Sequence, residues 1–121
     1  MAQPSAAIGA RAEAAVRNSL IADGWSILAA NWRGGGGELD VVALRGGVLR
    51  IVEVKARARR GQALEAVSRS KQRRISRAAQ AFLAAHPALE PDELSFCVAT
   101  IEAGVLTWVE DAFDDVGEGL W

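Results

Sequence analysis

Two short apolar runs set the pattern of this chain. Residues 39–44 read Leu-Asp-Val-Val-Ala-Leu and residues 48–54 read Val-Leu-Arg-Ile-Val-Glu-Val, so each predicts a largely buried strand. Between them stands Arg45-Gly46-Gly47. A glycine pair between apolar runs predicts a tight hairpin, because glycine tolerates the positive φ angles of primed turns. With Gly46-Gly47 as the turn, Arg45 faces Val48, Asp40 faces Glu53 and Glu38 faces Lys55. Upstream, Ile8, Ala12, Ala15, Val16, Ser19 and Leu20 recur at helical spacing over residues 5–23, with Ser5 as the cap and Asp23-Gly24 as the stop. Residues 25–32 predict a strand with Trp25, Ile27 and Ala29 on one face and Leu28 and Ala30 on the other. Trp25 and Trp32 read as core and edge packing rather than platforms for bases.

Downstream, residues 56–66 predict a mobile basic loop holding Arg57, Arg59, Arg60 and Gly61. A helix follows over residues 67–85 and stops before Pro87. Its apolar stripe is Ile75, Ala78, Ala79, Phe82 and Leu83. Three and four residues before Ile75 come Gln72 and Lys71, which places both on the sheet-facing side. Either they snorkel to solvent or they meet polar partners, and the nearest charged feature is Asp40 with Glu53. Strands at 94–101 and 105–109 joined through Glu102-Ala103-Gly104 predict a second hairpin, and residues 111–121 form an acidic, solvated tail. The order αβββαββ, with helices over a largely apolar mixed sheet, predicts one α/β domain over residues 1–121, built as three α/β/α layers.

Composition narrows the class. Half of the 121 residues are apolar, yet no stretch approaches the ~18 consecutive apolar residues of a membrane span. No basic segment followed by a long apolar one opens the chain, so a cytoplasmic protein is expected. A single cysteine, Cys97, excludes an internal disulfide, and with one histidine a structural zinc site is not expected. Cys97 reads as a small buried residue rather than a nucleophile. The four glycines at 34–37 read as a loose, flexible turn. They lack the Lys-Ser/Thr of a phosphate-binding loop and the spacing of a dinucleotide fingerprint, so no nucleotide cofactor is expected.

The net charge of −1 conceals a strong asymmetry. Residues 53–85 carry nine basic and two acidic side chains, whereas residues 86–121 carry nine acidic and no Lys or Arg. A solvated helix face explains most such runs. This one directly follows a pair of carboxylates, which favours a surface for a phosphate backbone.

Those carboxylates are the candidate chemistry. Asp40 and Glu53 face each other across a strand pair built otherwise of Val, Ile, Leu and Ala, where like charges repel. A cation between them removes the conflict, and carboxylate oxygens suit Mg²⁺ or Mn²⁺. Glu53 and Lys55 are two residues apart and point the same way. A slip of one residue in register would send Asp40 to the other face and end the reading.

An Asp followed on the next strand by Glu-x-Lys resembles the PD-(D/E)XK nucleases, the restriction-endonuclease-like fold. The longer string is more specific. Asn31-x-Arg33, Gly37-Glu38-Leu39-Asp40-Val41-Val42-Ala43, Val52-Glu53-Val54-Lys55-x-Arg57 and Lys71-Gln72-Arg73-Arg74-Ile75 together resemble the YraN family of small bacterial proteins, relatives of archaeal Holliday-junction resolvases. The likeness covers residues 8 to about 113. It implies that Asp40, Glu53 and the Val54 carbonyl hold Mg²⁺ or Mn²⁺, with Glu13 of the first helix completing the metal site. It also implies that Lys55 orients a water or stabilises charge on the phosphate, and that Gln72 or Lys71 holds a water or the scissile phosphate. Arg57, Arg59, Arg60, Arg69, Lys71, Arg73, Arg74 and Arg77 would meet nucleic acid. Branched or flapped DNA is the implied substrate, and a homodimer is compatible with it. The chain departs from the family at Ser95-Phe96-Cys97, where members usually carry Arg-Phe-Asp. The expected function is a metal-dependent endonuclease. The alternatives are a non-catalytic nucleic-acid-binding module of the same fold and a protein-interaction domain that self-associates through its opposed charges.

Overall fold

A computed structural model of the chain describes residues 5–57 and 68–110, apart from the side chains of residues 5–8 and 57. The elements are α1 (Ser5–Ala22), β1 (Ser26–Gly34), β2 (Gly37–Arg45), β3 (Val48–Arg57), α2 (Arg69–Ala85), β4 (Glu93–Glu102) and β5 (Val105–Val109). This is the expected αβββαββ order. The capping by Ser5, the basic loop beyond Arg57 and the acidic tail from Asp111 lie outside the described residues and side chains.

The strands form one mixed sheet in the order β1-β2-β3-β4-β5. Only β3 and β4 run parallel, because α2 intervenes between them and returns the chain to the same end of the sheet. The hairpin register is the expected one, with Arg45 paired to Val48 and Val41 to Val52. Apolar side chains on β2 and β3 then divide between the two faces. Val42, Leu49 and Ile51 pack with Ile75, Ala78, Ala79 and Phe82 of α2. Val41, Ala43 and Val52 pack with Val16 and Leu20 of α1 and with Trp25, Cys97 and Ala99. One helix on each face gives three layers. No described helix is long and apolar enough to cross a membrane.

α2 begins later than expected, at Arg69, because Ser68 caps it by accepting the Lys71 backbone N–H at 3.1 Å. Its buried residues are Ile75, Ser76, Ala78, Ala79 and Phe82, close to the expected stripe. Trp25 precedes β1 and is buried, with the guanidinium groups of Arg45 and Arg50 4.6 and 4.4 Å from its ring centre. Trp32 meets Phe82 edge-on at 5.2 Å. Both tryptophans therefore pack, as expected.

Two expectations need correction. Trp25, Ile27 and Ala29 do not share a face. The β1–β2 register shifts between Ile27 and Ala29, and a bulge reverses the alternation. Ile27 packs on the α1 side and Ala29 on the α2 side. The glycines at 34–37 are not a loose turn either. Gly34 pairs with Gly37 to close a two-residue hairpin, and Gly35 and Gly36 take φ of 60° and 82°. A Cβ on Gly35 would stand 2.7 Å from the Arg77 carbonyl oxygen, and one on Gly37 2.5 Å from that of Arg74. The hairpin lies flat on the α2 backbone, and only glycine permits that approach.

Candidate functional site

The site begins where the β2–β3 ladder ends. Continued past Val41 and Val52, the register would next bond Leu39 to Val54. Instead the Asp40 side chain takes over, and its Oδ2 accepts the Val54 backbone N–H at 2.9 Å. The strands part, and Glu38 does not pair with Lys55 as expected. Its partner in the sheet is Arg33 of β1, whose Nη2 lies 3.7 Å from Glu38 Oε2.

The parted strands hold Asp40 and Glu53 together in one cleft of about 660 Å³. Asp40 is partly buried and Glu53 buried. Burial, and then the charge of Glu53, raise Asp40 from 3.8 to about 7, against the opposite pull of the Val54 N–H. Glu13, half-buried on α1, pushes in the same upward direction. Glu13 therefore senses Asp40 electrostatically from the other layer, although it is not among the described residues lining the cleft.

Two ammonium groups converge on one oxygen of Glu53. Lys71 Nζ lies 2.6 Å from Oε1 and Lys55 Nζ 3.3 Å. Burial lowers the pKa of Lys55, and the neighbouring Lys71 lowers it further. Burial also works against the charge on Lys71, but the hydrogen bond to Glu53 and the charges of Glu53 and Asp40 outweigh it and raise its pKa. Lys71 thus belongs to the carboxylate site rather than to an outer helix face, as its place four residues before Ile75 allowed. Gln72, one residue on, is half-buried and does not appear among the described residues lining the cleft.

The cleft wall adds Arg33, Gly34, Gly36 and Gly37 from the first hairpin and Arg74 and Ile75 from α2. Arg69, Arg73 and Arg77 are exposed on α2. Arg59, Arg60 and the Arg57 side chain lie outside the described residues and side chains. Arg33 is a cleft residue that element assignment alone missed; its one signal was its place in the Asn31-x-Arg33 string. Cys97 is fully buried in the α1-side cluster with Val52, and its Sγ is 3.6 Å from Ser95 Oγ. None of Ser95, Phe96 and Cys97 is among the described residues lining the cleft.

Among the described residues no three His, Cys, Asp or Glu side chains converge, so Asp40 and Glu53 act as a pair. Their donor set is all oxygen: two carboxylates and the Val54 carbonyl. In a strand the carbonyl leaves on the same edge as the N–H of its residue, so that of Val54 is directed toward β2. Such a set fits a hard divalent cation completed by water or phosphate oxygens. Two carboxylates this close, one of them held at about 7, also gain from a cation beside them.

What the fold and cleft define is an α/β protein with a carboxylate pair, Glu53 of it held by two lysines, at the end of a parted strand ladder. The family model described as Uncharacterised protein family UPF0102 matches residues 12–101. A UPF0102 protein of Synechococcus sp. (strain JA-3-3Ab) is 49% identical over 98 residues, covering 78% of this chain and 75% of the relative. One from Xanthomonas campestris pv. campestris is 43% identical over 109 residues, covering 87% and 89%. One from Nitrobacter winogradskyi is 48% identical over 88 residues, covering 73% and 75%. This chain belongs to the UPF0102 family, which is the YraN family that its motifs resemble.

Proposed function

We propose that this protein is a metal-dependent endonuclease of the restriction-endonuclease-like fold, acting on DNA of branched or otherwise structured form. One observation carries the reading: Asp40 and Glu53 share a cleft with Lys71 at the point where the sheet opens, and Lys55 reaches the same Glu53 oxygen from within the fold. Asp40, Glu53 and the Val54 carbonyl would hold Mg²⁺ or Mn²⁺. When bound, the ion supplies a Lewis acid for the scissile phosphate and lowers the pKa of a water. Lys55, its pKa lowered by burial, would orient that water or stabilise charge on the phosphate. Arg33 and Arg74 flank the carboxylates and suit the backbone on either side of the reacting bond. Exposed arginines of α2 extend this track with little reading of bases. Cys97, where the family usually has Asp, is buried in the α1-side cluster, away from the lining of the cleft.

The test is cleavage of labelled hairpin, flapped and four-way-junction DNAs in Mg²⁺ or Mn²⁺. Wild type should cut at least one of them, with Lys55→Ala and Asp40→Asn reduced at least ~100-fold, the usual scale of a lost catalytic group. Equal activity in Lys55→Ala would place the chemistry elsewhere. The second reading is a nucleic-acid-binding module without catalysis. It is favoured by the same lysines, since an ammonium already neutralises Glu53. Tight binding of these DNAs with no cleavage under any of the ions would select it.

A further inference from the structure

Lys71 and Lys55 are not equivalent on Glu53. Both approach Oε1, but Lys55 is rooted in β3 and its side chain is 10% exposed, while Lys71 stands on the first turn of α2 and is 32% exposed. The shorter contact, 2.6 Å against 3.3 Å, belongs to the more exposed side chain. A lysine on a helix end has a flexible four-carbon stem and open solvent to move into. One enclosed in a strand between β2 and β4 does not. Glu53 is thus neutralised by one fixed amine and one that can leave.

From this geometry we infer that Lys71 is the resident counter-ion of the cleft and is displaced from Glu53 when a divalent cation binds. The inference rests on the metal reading given above and deepens it. An ammonium and a divalent ion on one carboxylate oxygen repel each other strongly at such a separation, and Glu53 is too enclosed for water to screen them. The displaced amine would still stand on the wall of the cleft, one turn from Arg74. A positive charge engaged by Glu53 in the metal-free protein then becomes available to a phosphate. Filling the site and attracting the nucleic acid would be one event, and protein lacking the ion would hold a cleft of little net charge.

Two measurements test the exchange. Calorimetric titration with Mn²⁺ alone compares wild type with Lys71→Met, which keeps the stem and removes the charge. If Lys71 competes for Glu53, the variant binds Mn²⁺ about tenfold more tightly. Equal or weaker binding overturns the exchange and leaves the metal site standing. Absence of Mn²⁺ uptake by both proteins overturns the metal site and the exchange together. The second measurement uses wild type only and does not depend on a variant folding. Acetylation of Lys71 by an amine-directed reagent, read by mass spectrometry, should rise at least threefold on adding Mn²⁺ while Lys55 changes little. Unchanged labelling of Lys71 in protein that has taken up Mn²⁺ overturns the exchange.

Discussion

Asp40 does two jobs with one side chain. Its Oδ2 closes the end of the strand pair on the Val54 N–H, and its burial, reinforced by the charge of Glu53, gives it a proton affinity unusual for a carboxylate. The consequence for stability has a definite sign. A carboxyl raised from 3.8 to about 7 binds more protons in the folded chain than in the unfolded one between those values. Stability therefore falls as pH rises through that window and levels off above it. Urea midpoints in EDTA should accordingly be higher at pH 5 than at pH 8. Asp40→Asn, which can still accept from Val54, should lose most of that difference and exceed wild type at pH 8. The facing of Asp40 and Glu53 was legible because a glycine pair fixes register and register fixes faces. Lys71 was legible only in outline, since helical spacing told which side it lies on but not which atom its amine meets.

The element that sequence describes least well is the first hairpin. Four consecutive glycines look like slack, and their purpose appears only when α2 is laid against them. Gly35 and Gly37 touch helix carbonyls, a long-range contact with no local signature. Gly37→Ala should therefore cost about 1–3 kcal/mol from overpacking, although the position has an ordinary backbone conformation. Gly9, on α1, has nothing within 4 Å of where a methyl would stand, and Gly9→Ala should stabilise by roughly 0.5–1 kcal/mol. Urea denaturation of the two variants checks the opposite signs. The bulge between Ile27 and Ala29 escaped for a related reason. Alternation assumes an unbroken pleat, and the inserted residue sends Ala29, which follows it, to the layer opposite Ile27.

At the scale of the molecule, one half of the charge pattern is placed. Arg69, Arg73, Arg74 and Arg77 are exposed on α2, beside the cleft. If they track phosphates, log K for DNA should fall linearly with log salt, and each phosphate contact removed should reduce the slope by ~0.9. Arg73→Gln with Arg77→Gln, read by fluorescence anisotropy over a salt series, measures this. A flat plot for wild type would speak against a phosphate-tracking face. The layered architecture itself was largely predictable from the run of apolar segments. A mixed sheet was expected, but the strand order and the parallel β3–β4 pair appear only in the structure, where α2 stands between those two strands.

Because β2 and β3 separate just beyond Val41 and Val52, the acidic pair hangs from the mouth of a zipper rather than from its closed length. The spacing of the two carboxyls is therefore governed by the last tooth, a valine against a valine, gripped between two fully packed layers. The apolar interior acts as the calliper of the polar site, and its most consequential setting is made by residues that carry no charge.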